Sequence, residues 1–149
     1  MVGHNFRMPE VCAAMGIAQV EKAKNLVRLR QEIAMLYQEV IDDFDWVTPQ
    51  FVPNHIEHTY WAYVFTLDIS YISWERFREV FLGKGGKTFY GSWSLSYLEP
   101  SMPSFRDGGC AVAEKIQPSL IQLKTNFESL EEGRSQAKAL RETLTHFSK

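Results

Sequence analysis

The sequence predicts an α+β fold in which helices pack on one side of a small sheet of about three strands. Two patterns support this prediction. Apolar residues recur at helical spacing near both ends of the chain, and an aromatic, β-branched run lies between them. The 149 residues suit a single domain, 1–149, and a chain of this length buries roughly 70% of its unfolded surface on folding.

A long helix is predicted over residues 10–43. Pro9 suits the first turn of a helix, and Glu10 complements the positive end of the helix dipole. Lys22 and Asn25 interrupt the apolar phase, so we expect either one bent helix or two helices in succession. Beyond the interruption, a stripe with the spacing of a core-facing helix comprises Leu26, Leu29, Ile33, Leu36 and Val40.

Extended structure is predicted after this helix. Pro49 and Pro53 flank a short extended piece over 47–52. The run HTYWAYVFTLDI, 58–69, alternates in polarity and is rich in aromatic and β-branched residues. Such a run is typical of a strand, and its length and apolar content predict a central position in the sheet.

A second helix is predicted to begin after a Ser73 cap and to end near Gly83. Its buried side carries Phe77, Val80 and Phe81. The tract GKGGKT, 83–88, ends like a phosphate-binding loop, but that motif needs a preceding strand and a further glycine where position 81 is Phe. We therefore interpret these glycines as a helix stop.

The last part of the chain predicts one more extended run, a loop and two helices. The extended run covers 87–93, the loop covers 98–109, and a short helix covers 112–117 before Pro118. A final helix begins near Leu130. One of its faces carries Ala137, Leu140, Leu144 and Phe147.

Charge and composition exclude several classes of protein. The formal net charge of −2 provides no basic surface for nucleic acid. No apolar run approaches the length of a membrane-spanning helix, so no membrane partner is expected. Cys12 and Cys110 lie far apart and do not form a disulfide scaffold, which favours a reducing, cytoplasmic location.

No catalytic residue and no metal site is predicted from the residues themselves. His55 and His58 have HxxH spacing, but a metal needs three or four convergent ligands, and no further ligand pattern is present. We expect His58 to hydrogen-bond and pack at a strand entrance instead. The pairs Asp42–Asp43 and Glu131–Glu132 are interpreted as solvated helix ends. No local motif such as GxSxG supports a nucleophile.

The opening stretch GHNFRMPEVCAAMGIAQVEKAKNLVRLRQEIAMLY, 3–37, resembles a signature of the nucleotide-sugar aminotransferases of the DegT/StrS group. These are fold type I enzymes that depend on pyridoxal phosphate (PLP). His4 stands at the family's first aromatic position, and Ile17 and Val20 stand at its two leucines. The positions that match are Gly3, Asn5, Phe6, Arg7, Met8, Glu10, Ala14, Gly16, Ala18 and Gln19.

Later segments resemble the same family. HTYW, 58–61, is similar to its strand entry, and residues 90–102 and 110–126 are similar to its later segments. Ala111 stands where the family usually has a proline. The similarity therefore extends over essentially the whole chain.

The resemblance implies that this chain begins where the smaller, C-terminal domain of a much longer enzyme begins. In such an enzyme the larger N-terminal domain holds PLP and supplies both the Schiff-base lysine and the carboxylate on the pyridine nitrogen. This chain has no lysine in the family's lysine context. We therefore expect it to bind no PLP and to perform no catalysis by itself.

The resemblance also implies roles for individual residues. Asn5 would hydrogen-bond the cofactor phosphate of a partner subunit across a dimer, and Arg7 would pair with a phosphate or carboxylate. His58, Tyr60 and Trp93 would line the sugar-nucleotide side of the cleft. The residues alone leave other interpretations open: a turn cap for Asn5, a loop salt bridge for Arg7, and sheet packing for the other three.

Together these patterns predict the C-terminal domain of a PLP-dependent sugar aminotransferase. The complete enzyme would transfer an amino group from an amino acid, typically glutamate, to a keto-sugar nucleotide. Two alternatives stay open: a free-standing, non-catalytic dimeric module, and one subunit of a split aminotransferase. The expected partner is accordingly a second copy or a separate catalytic domain.

Overall fold

The computed structural model describes residues 7–87, 90–91, 95–102 and 109–148, and it confirms the predicted α+β class. Short 3-10 turns occur at Ser96–Leu98 and Gln117–Ser119. No helix in the described ranges is both long and apolar enough to cross a bilayer. The elements in chain order are α1 (Glu10–Ile41), β1 (Val47–Pro49), β2 (Ala62–Leu67), α2 (Trp74–Gly83), β3 (Tyr90–Gly91), α3 (Ala111–Ile116), β4 (Leu120–Lys124) and α4 (Leu130–Phe147).

The sheet is antiparallel, and its strand order in the described residues is β1-β2-β4-β3. β2 has a neighbour on each side, so its predicted central position is confirmed. Tyr63 pairs with Leu123 and Phe65 pairs with Ile121, and all four side chains are buried on the same face. This face and the helices that cover it form the core. β3, which is only two residues long, lies within the extended run predicted over 87–93. The three longer strands are β1, β2 and β4, so the predicted number is met with a different third strand.

The structure corrects the interpretation of the first helix. α1 is one uninterrupted helix of 32 residues, so the alternative of two successive helices is wrong. Its C-terminal half carries most of the predicted core stripe, since Ile33 and Val40 are buried and Leu29 and Leu36 are half-buried, but Leu26 is 49% exposed. In its N-terminal half, residues 10–26, no side chain is buried. The apolar phase changes at Lys22 and Asn25 because only the part of α1 beyond them packs on this chain's own core.

α4 covers the C-terminal half of α1, and the two helices run in the same direction. Ile33 lies against Gly133, and further along both helices Arg141 forms an ion pair of 2.6 Å with Asp43. Gly133 permits close approach, because a Cβ atom there would lie only 2.6 Å from Cγ1 of Ile33. The predicted apolar face of α4 is buried at Ala137, Leu140 and Leu144 and half-buried at Phe147.

The glycines after α2 act as a helix stop, as predicted. The Ser73 side chain accepts a hydrogen bond from the Arg76 backbone N–H at the start of α2, and Phe77 and Phe81 are buried. Gly85 has a φ of 87°, which favours glycine. The N–H of Gly86 donates to the Phe81 carbonyl, and a Cβ at Gly86 would lie 2.3 Å from the Phe81 ring. A helix precedes this tract, so it is not a phosphate-binding loop.

Two extended segments differ from the prediction. β2 begins at Ala62 rather than near residue 58, because Tyr60 has a φ of 48°, outside the extended region. β4 was not predicted as a strand at all. Its five residues directly follow a helix and Pro118, and so short an alternating run is a weak signal without its pairing to β2.

We expect Gly133→Ala to destabilise the chain, because the added methyl group has to displace the fully buried Ile33. Overpacking of this kind costs about 1–3 kcal/mol, which outweighs the roughly 1 kcal/mol that alanine gains in helix propensity. The measurement is urea unfolding followed by circular dichroism. Gly16→Ala is the matched control, since no atom lies within 4 Å of a Cβ there, and it should not lower stability. Equal effects of the two substitutions would contradict the proposed close approach.

Candidate functional site

A strained turn over residues 58–61 contains two of the predicted site residues, His58 and Tyr60. Among the described non-glycine residues, Tyr60 alone has a positive φ, at 48°. Backbone in this region is costly for a bulky side chain and persists only where the surroundings hold it. The turn therefore needs support from neighbouring elements.

Three side chains from other elements provide that support. From α1, the Gln31 amide nitrogen donates to the His58 carbonyl at 3.1 Å, and the Arg30 guanidinium donates to the Trp61 carbonyl at 3.4 Å. From the end of β4, the hydroxyl of Thr125 donates to the Tyr60 carbonyl at 2.5 Å, and it lies 3.2 Å from the Trp61 carbonyl. The Thr125 residue is fully buried, so these bonds are shielded from water.

His58 is held within the turn by its own ring. The Tyr60 backbone N–H donates to Nδ1 of His58 at 2.9 Å, so the neutral imidazole carries its proton on Nε2. The two rings also pack together, with centroids 4.3 Å apart. These contacts confirm the prediction of a histidine that hydrogen-bonds and packs at a strand entrance. The described ranges bring together no group of three His, Cys, Asp or Glu side chains suited to a metal.

Behind the turn lies a buried pair of tyrosines. The Tyr63 hydroxyl donates to Oε1 of Gln38 at 2.7 Å, and the Tyr37 hydroxyl donates to the Lys124 carbonyl at 3.0 Å. Burial raises the pKa of both phenols well above the usual value, and the nearby Asp42 carboxylate adds to the rise for the Tyr63 pKa. Both phenols are therefore neutral donors that fix α1 to the sheet.

The remaining predicted site residues lie elsewhere. Arg7 is exposed just before α1, and Asn5 and Trp93 fall outside the described residues. His58 contacts α1 at Gln31, and at 1.5 Å per residue this point is about 30 Å from the start of the helix. Within one chain, Arg7 and the 58–61 turn therefore cannot contact the same small ligand.

The acidic pairs at the helix ends are solvated, as predicted. Asp42 caps the end of α1, and Asp43 pairs with Arg141 on the surface. In the first turn of α4, Glu132 pairs with Lys87 at 2.9 Å. The hydrogen bond from Lys87 lowers the pKa of the Glu132 carboxyl.

A groove of about 860 Å³ lies near the C-terminal end of α1, away from the 58–61 turn. Its walls are acidic and aromatic, and they include Asp42, Asp45, Trp46 and Tyr71. Neither Arg7 nor the 58–61 turn contributes to it. Size alone therefore does not make this groove the site that the resemblance implies.

We expect Thr125→Val to destabilise the chain by about 1–3 kcal/mol, because it leaves the Tyr60 carbonyl without its buried donor. Urea unfolding followed by circular dichroism measures the loss. Thr66→Val is the matched control, since its bond to the Thr48 carbonyl is longer, at 3.4 Å, and less buried. A control effect as large as that of Thr125→Val would show that the turn does not depend on this hydroxyl.

Curated relatives match short parts of the chain. The GDP-perosamine synthase of Escherichia coli O157:H7 is 36% identical over 61 residues, which are 41% of this chain and 16% of that protein. The UDP-4-amino-4,6-dideoxy-N-acetyl-beta-L-altrosamine transaminase of Helicobacter pylori is 40% identical over 48 residues, 32% of this chain and 13% of that protein. The matches thus span a small fraction of each relative.

Solved structures share the fold over nearly the whole chain. The model aligns with Helicobacter pylori PseC, an aminotransferase involved in the biosynthesis of pseudoaminic acid, at a TM-score of 0.78 and 22% identity. The alignment covers 98% of this chain but 40% of PseC. The sugar aminotransferase CalS13 from Micromonospora echinospora aligns at a TM-score of 0.77 and 17% identity, covering 94% of this chain and 37% of that one.

The structural matches show a shared fold, and a match to a family model shows which family the chain belongs to. This family model describes the DegT/DnrJ/EryC1/StrS aminotransferases and matches residues 1–131, which include the opening signature and the 58–61 turn. The resemblance found in residues 3–37 is thereby confirmed. The chain belongs to the DegT/DnrJ/EryC1/StrS aminotransferase family and spans about 40% of the length of its structural neighbour PseC.

Proposed function

We propose that this chain is the C-terminal domain of a PLP-dependent nucleotide-sugar aminotransferase and lacks activity without the lysine-bearing domain. The complete enzyme would move an amino group from an amino acid, typically glutamate, to a keto-sugar nucleotide. The observation that carries the proposal is the family match over residues 1–131 in a chain that covers only 40% of PseC.

The lysines of the chain do not fit a PLP site. A Schiff-base lysine has to reach the cofactor inside a cleft, beside a carboxylate that holds the pyridine nitrogen. Of the lysines in the described ranges, only Lys124 is half-buried, and the others are exposed. Lys87, for example, pairs with Glu132 at the surface. The described part of the chain therefore offers no enclosed amine for the cofactor.

Arg7 and Asn5 would act on the cofactor of a second subunit. Both precede α1, and Arg7 is exposed. The roughly 30 Å between the start of α1 and the 58–61 turn prevents Arg7 from completing a site with the turn of its own chain. A cross-subunit contact removes this difficulty, because the amide of Asn5 and the guanidinium of Arg7 would then meet a phosphate held by the partner.

His58, Tyr60 and Trp93 would line the sugar-nucleotide side of the cleft. For the first two, the turn supports this role. Its hydrogen bonds hold the aromatic rings in place before any ligand binds, and His58 carries a donor on Nε2. The chain's own contribution would thus be to bind and orient the sugar, while PLP supplies the electron sink for transamination when bound to the other domain.

A second candidate is one subunit of a split enzyme, in which a separate protein supplies the lysine domain. It differs from the first only in how the two domains are connected. A non-catalytic dimeric module is the third possibility. In each case Cys12 and Cys110, which are exposed and not disulfide-bonded, support a reducing, cytoplasmic location.

We expect the chain alone to form no specific adduct with PLP. After addition of PLP and reduction with borohydride, peptide mapping should find label spread over several exposed lysines at substoichiometric levels. An unfolded sample of the same chain serves as the control and should give a similar distribution. One lysine trapped stoichiometrically only in the folded chain would contradict the proposal, since this chain would then hold a cofactor site of its own.

A further inference from the structure

The ring of His58 provides the hydrogen-bond acceptor that closes the 58–61 turn. The Tyr60 backbone N–H donates to Nδ1 of His58 at 2.9 Å. A bond from a backbone N–H to a side chain two residues earlier is the closure that Asn and Asp form in Asx turns. Here it holds the residue whose φ is 48°, the one non-glycine residue in the described ranges with a positive φ. The strained residue therefore depends on an acceptor that can take up a proton.

Only a neutral imidazole accepts this bond. In the neutral ring one nitrogen donates and the other accepts, whereas in the imidazolium both nitrogens donate. A protonated His58 would place its Nδ1–H against the Tyr60 N–H across 2.9 Å. Rotation of the ring does not restore the bond, because an imidazolium has no acceptor nitrogen. His58 is only half-buried, so it can exchange protons with solvent.

The other bonds that support the turn do not replace this one. The Thr125 hydroxyl donates to the Tyr60 carbonyl, and the Gln31 amide nitrogen donates to the His58 carbonyl. Both contacts satisfy carbonyl oxygens, and neither supplies an acceptor for the Tyr60 N–H. When Nδ1 of His58 is protonated, Tyr60 therefore loses one of the bonds that offset the cost of its left-handed conformation.

The conformation of Tyr60 sets the place of its ring. The Tyr60 ring centroid lies 4.3 Å from that of His58 and 6.1 Å from that of Tyr63. Tyr63 is buried, and its hydroxyl donates to Gln38 on α1, so it is a fixed reference. A change of φ at Tyr60 turns its side chain away from this stack. The protonation state of His58 thus controls where the Tyr60 ring lies.

The pH range follows from the charged groups around the turn. They are Arg30 on α1, Glu57 directly before the turn and Lys124 at the end of β4. Histidine side chains ordinarily titrate near about pH 6.5, carboxylates below about 5, and lysine and arginine above about 10. Burial raises the pKa of Tyr63 far above this range. Between about pH 7.5 and 5, His58 is the member of this group that changes its charge.

We propose that His58 is a positioning residue whose neutral ring holds Tyr60 in its strained conformation, and that proton uptake by His58 releases the 58–61 turn. The bond needs the deprotonated ring, so the turn is ordered above the titration range of the imidazole and is released as the pH falls through it. The consequence for a ligand rests on the proposed function, in which Tyr60 lines the sugar-nucleotide side of the cleft. That side would be formed at neutral pH and lost in mild acid.

The test follows the turn by NMR in the isotope-labelled 149-residue chain, between about pH 7.5 and 5. Long-range proton–nitrogen spectra show which ring nitrogens of His58 carry a proton. The NOE between the amide proton and Hα of Tyr60 reports its φ, because this NOE is strongest where φ is positive. At the neutral end we expect the proton on Nε2 and a strong NOE. Both should change with one common midpoint as the pH falls.

Three substitutions separate the acceptor from the charge. His58→Asn keeps an acceptor at the δ position but takes up no proton, so the Tyr60 NOE should persist over the whole range. His58→Phe keeps a ring without an acceptor, so the NOE should be weak at every pH. His55→Asn is the matched control, because it removes an exposed histidine three residues earlier and should leave the midpoint unchanged. Circular dichroism verifies that each variant folds.

Three results would overturn the inference. A wild-type chain that keeps the Tyr60 NOE after His58 is protonated would show that the turn is held without Nδ1. Loss of the NOE in His58→Asn at the wild-type midpoint would assign the change to another group. A proton on Nδ1 of His58 at the neutral end would remove the acceptor itself. If His58→Phe does not fold, the wild-type chain and His58→Asn still decide the question.

The experiment also separates this inference from the proposed function, because it involves neither PLP nor a nucleotide. Loss of the Tyr60 NOE in mild acid, together with one lysine trapped stoichiometrically by PLP, would refute the proposed function and leave the role of His58 intact. An NOE that persists in acid, together with no specific PLP adduct, would refute the role of His58 alone.

Discussion

The contact between Ile33 and Gly133 is the constraint on which the rest of the structure depends. Because position 133 lacks a Cβ, α4 approaches α1 closely enough to bury Ile33 completely. This contact sets which side of α1 faces the core and aligns the two helices in parallel. Tyr37 and Tyr63 then connect α1 to the sheet through hydrogen bonds, with phenols whose raised pKa keeps them neutral.

This packing divides α1 into two parts. The C-terminal half is anchored in the core and supports the 58–61 turn through Gln31 and Arg30. The N-terminal half, residues 10–26, extends the same helix away from the core. The start of α1 therefore lies about 30 Å from the point at which the helix contacts the turn.

The 58–61 turn shows how backbone strain and support are combined. Tyr60 keeps its left-handed conformation because Thr125, Gln31 and the His58 ring all bond to the turn's backbone. Strained backbone of this kind is found preferentially at binding sites, where preorganisation reduces the entropy lost on binding. Because these bonds keep the turn out of the extended conformation, β2 begins only at Ala62. The geometry of the turn and the length of the strand therefore have one cause.

Most elements could be predicted from the sequence because their signals are local. The stripe Leu29–Val40, the Ser73 cap, the glycines after α2 and the face of α4 each reflect side-chain spacing or a short backbone requirement. The family was also recognisable in residues 3–37, because the matching positions lie close together in the sequence.

Tertiary structure decided what depends on distant partners. β4 is a strand because it pairs with β2, and Tyr60 is held in its strained conformation by a hydrogen bond from Thr125, sixty-five residues away along the chain. The exposure of Met15 and Ile17 could not be predicted either, since their spacing resembles that of a buried helix. The sequence by itself determined which residues are apolar and where helices begin and end. Only the folded chain determined which apolar faces are covered, because burial depends on what lies opposite in space.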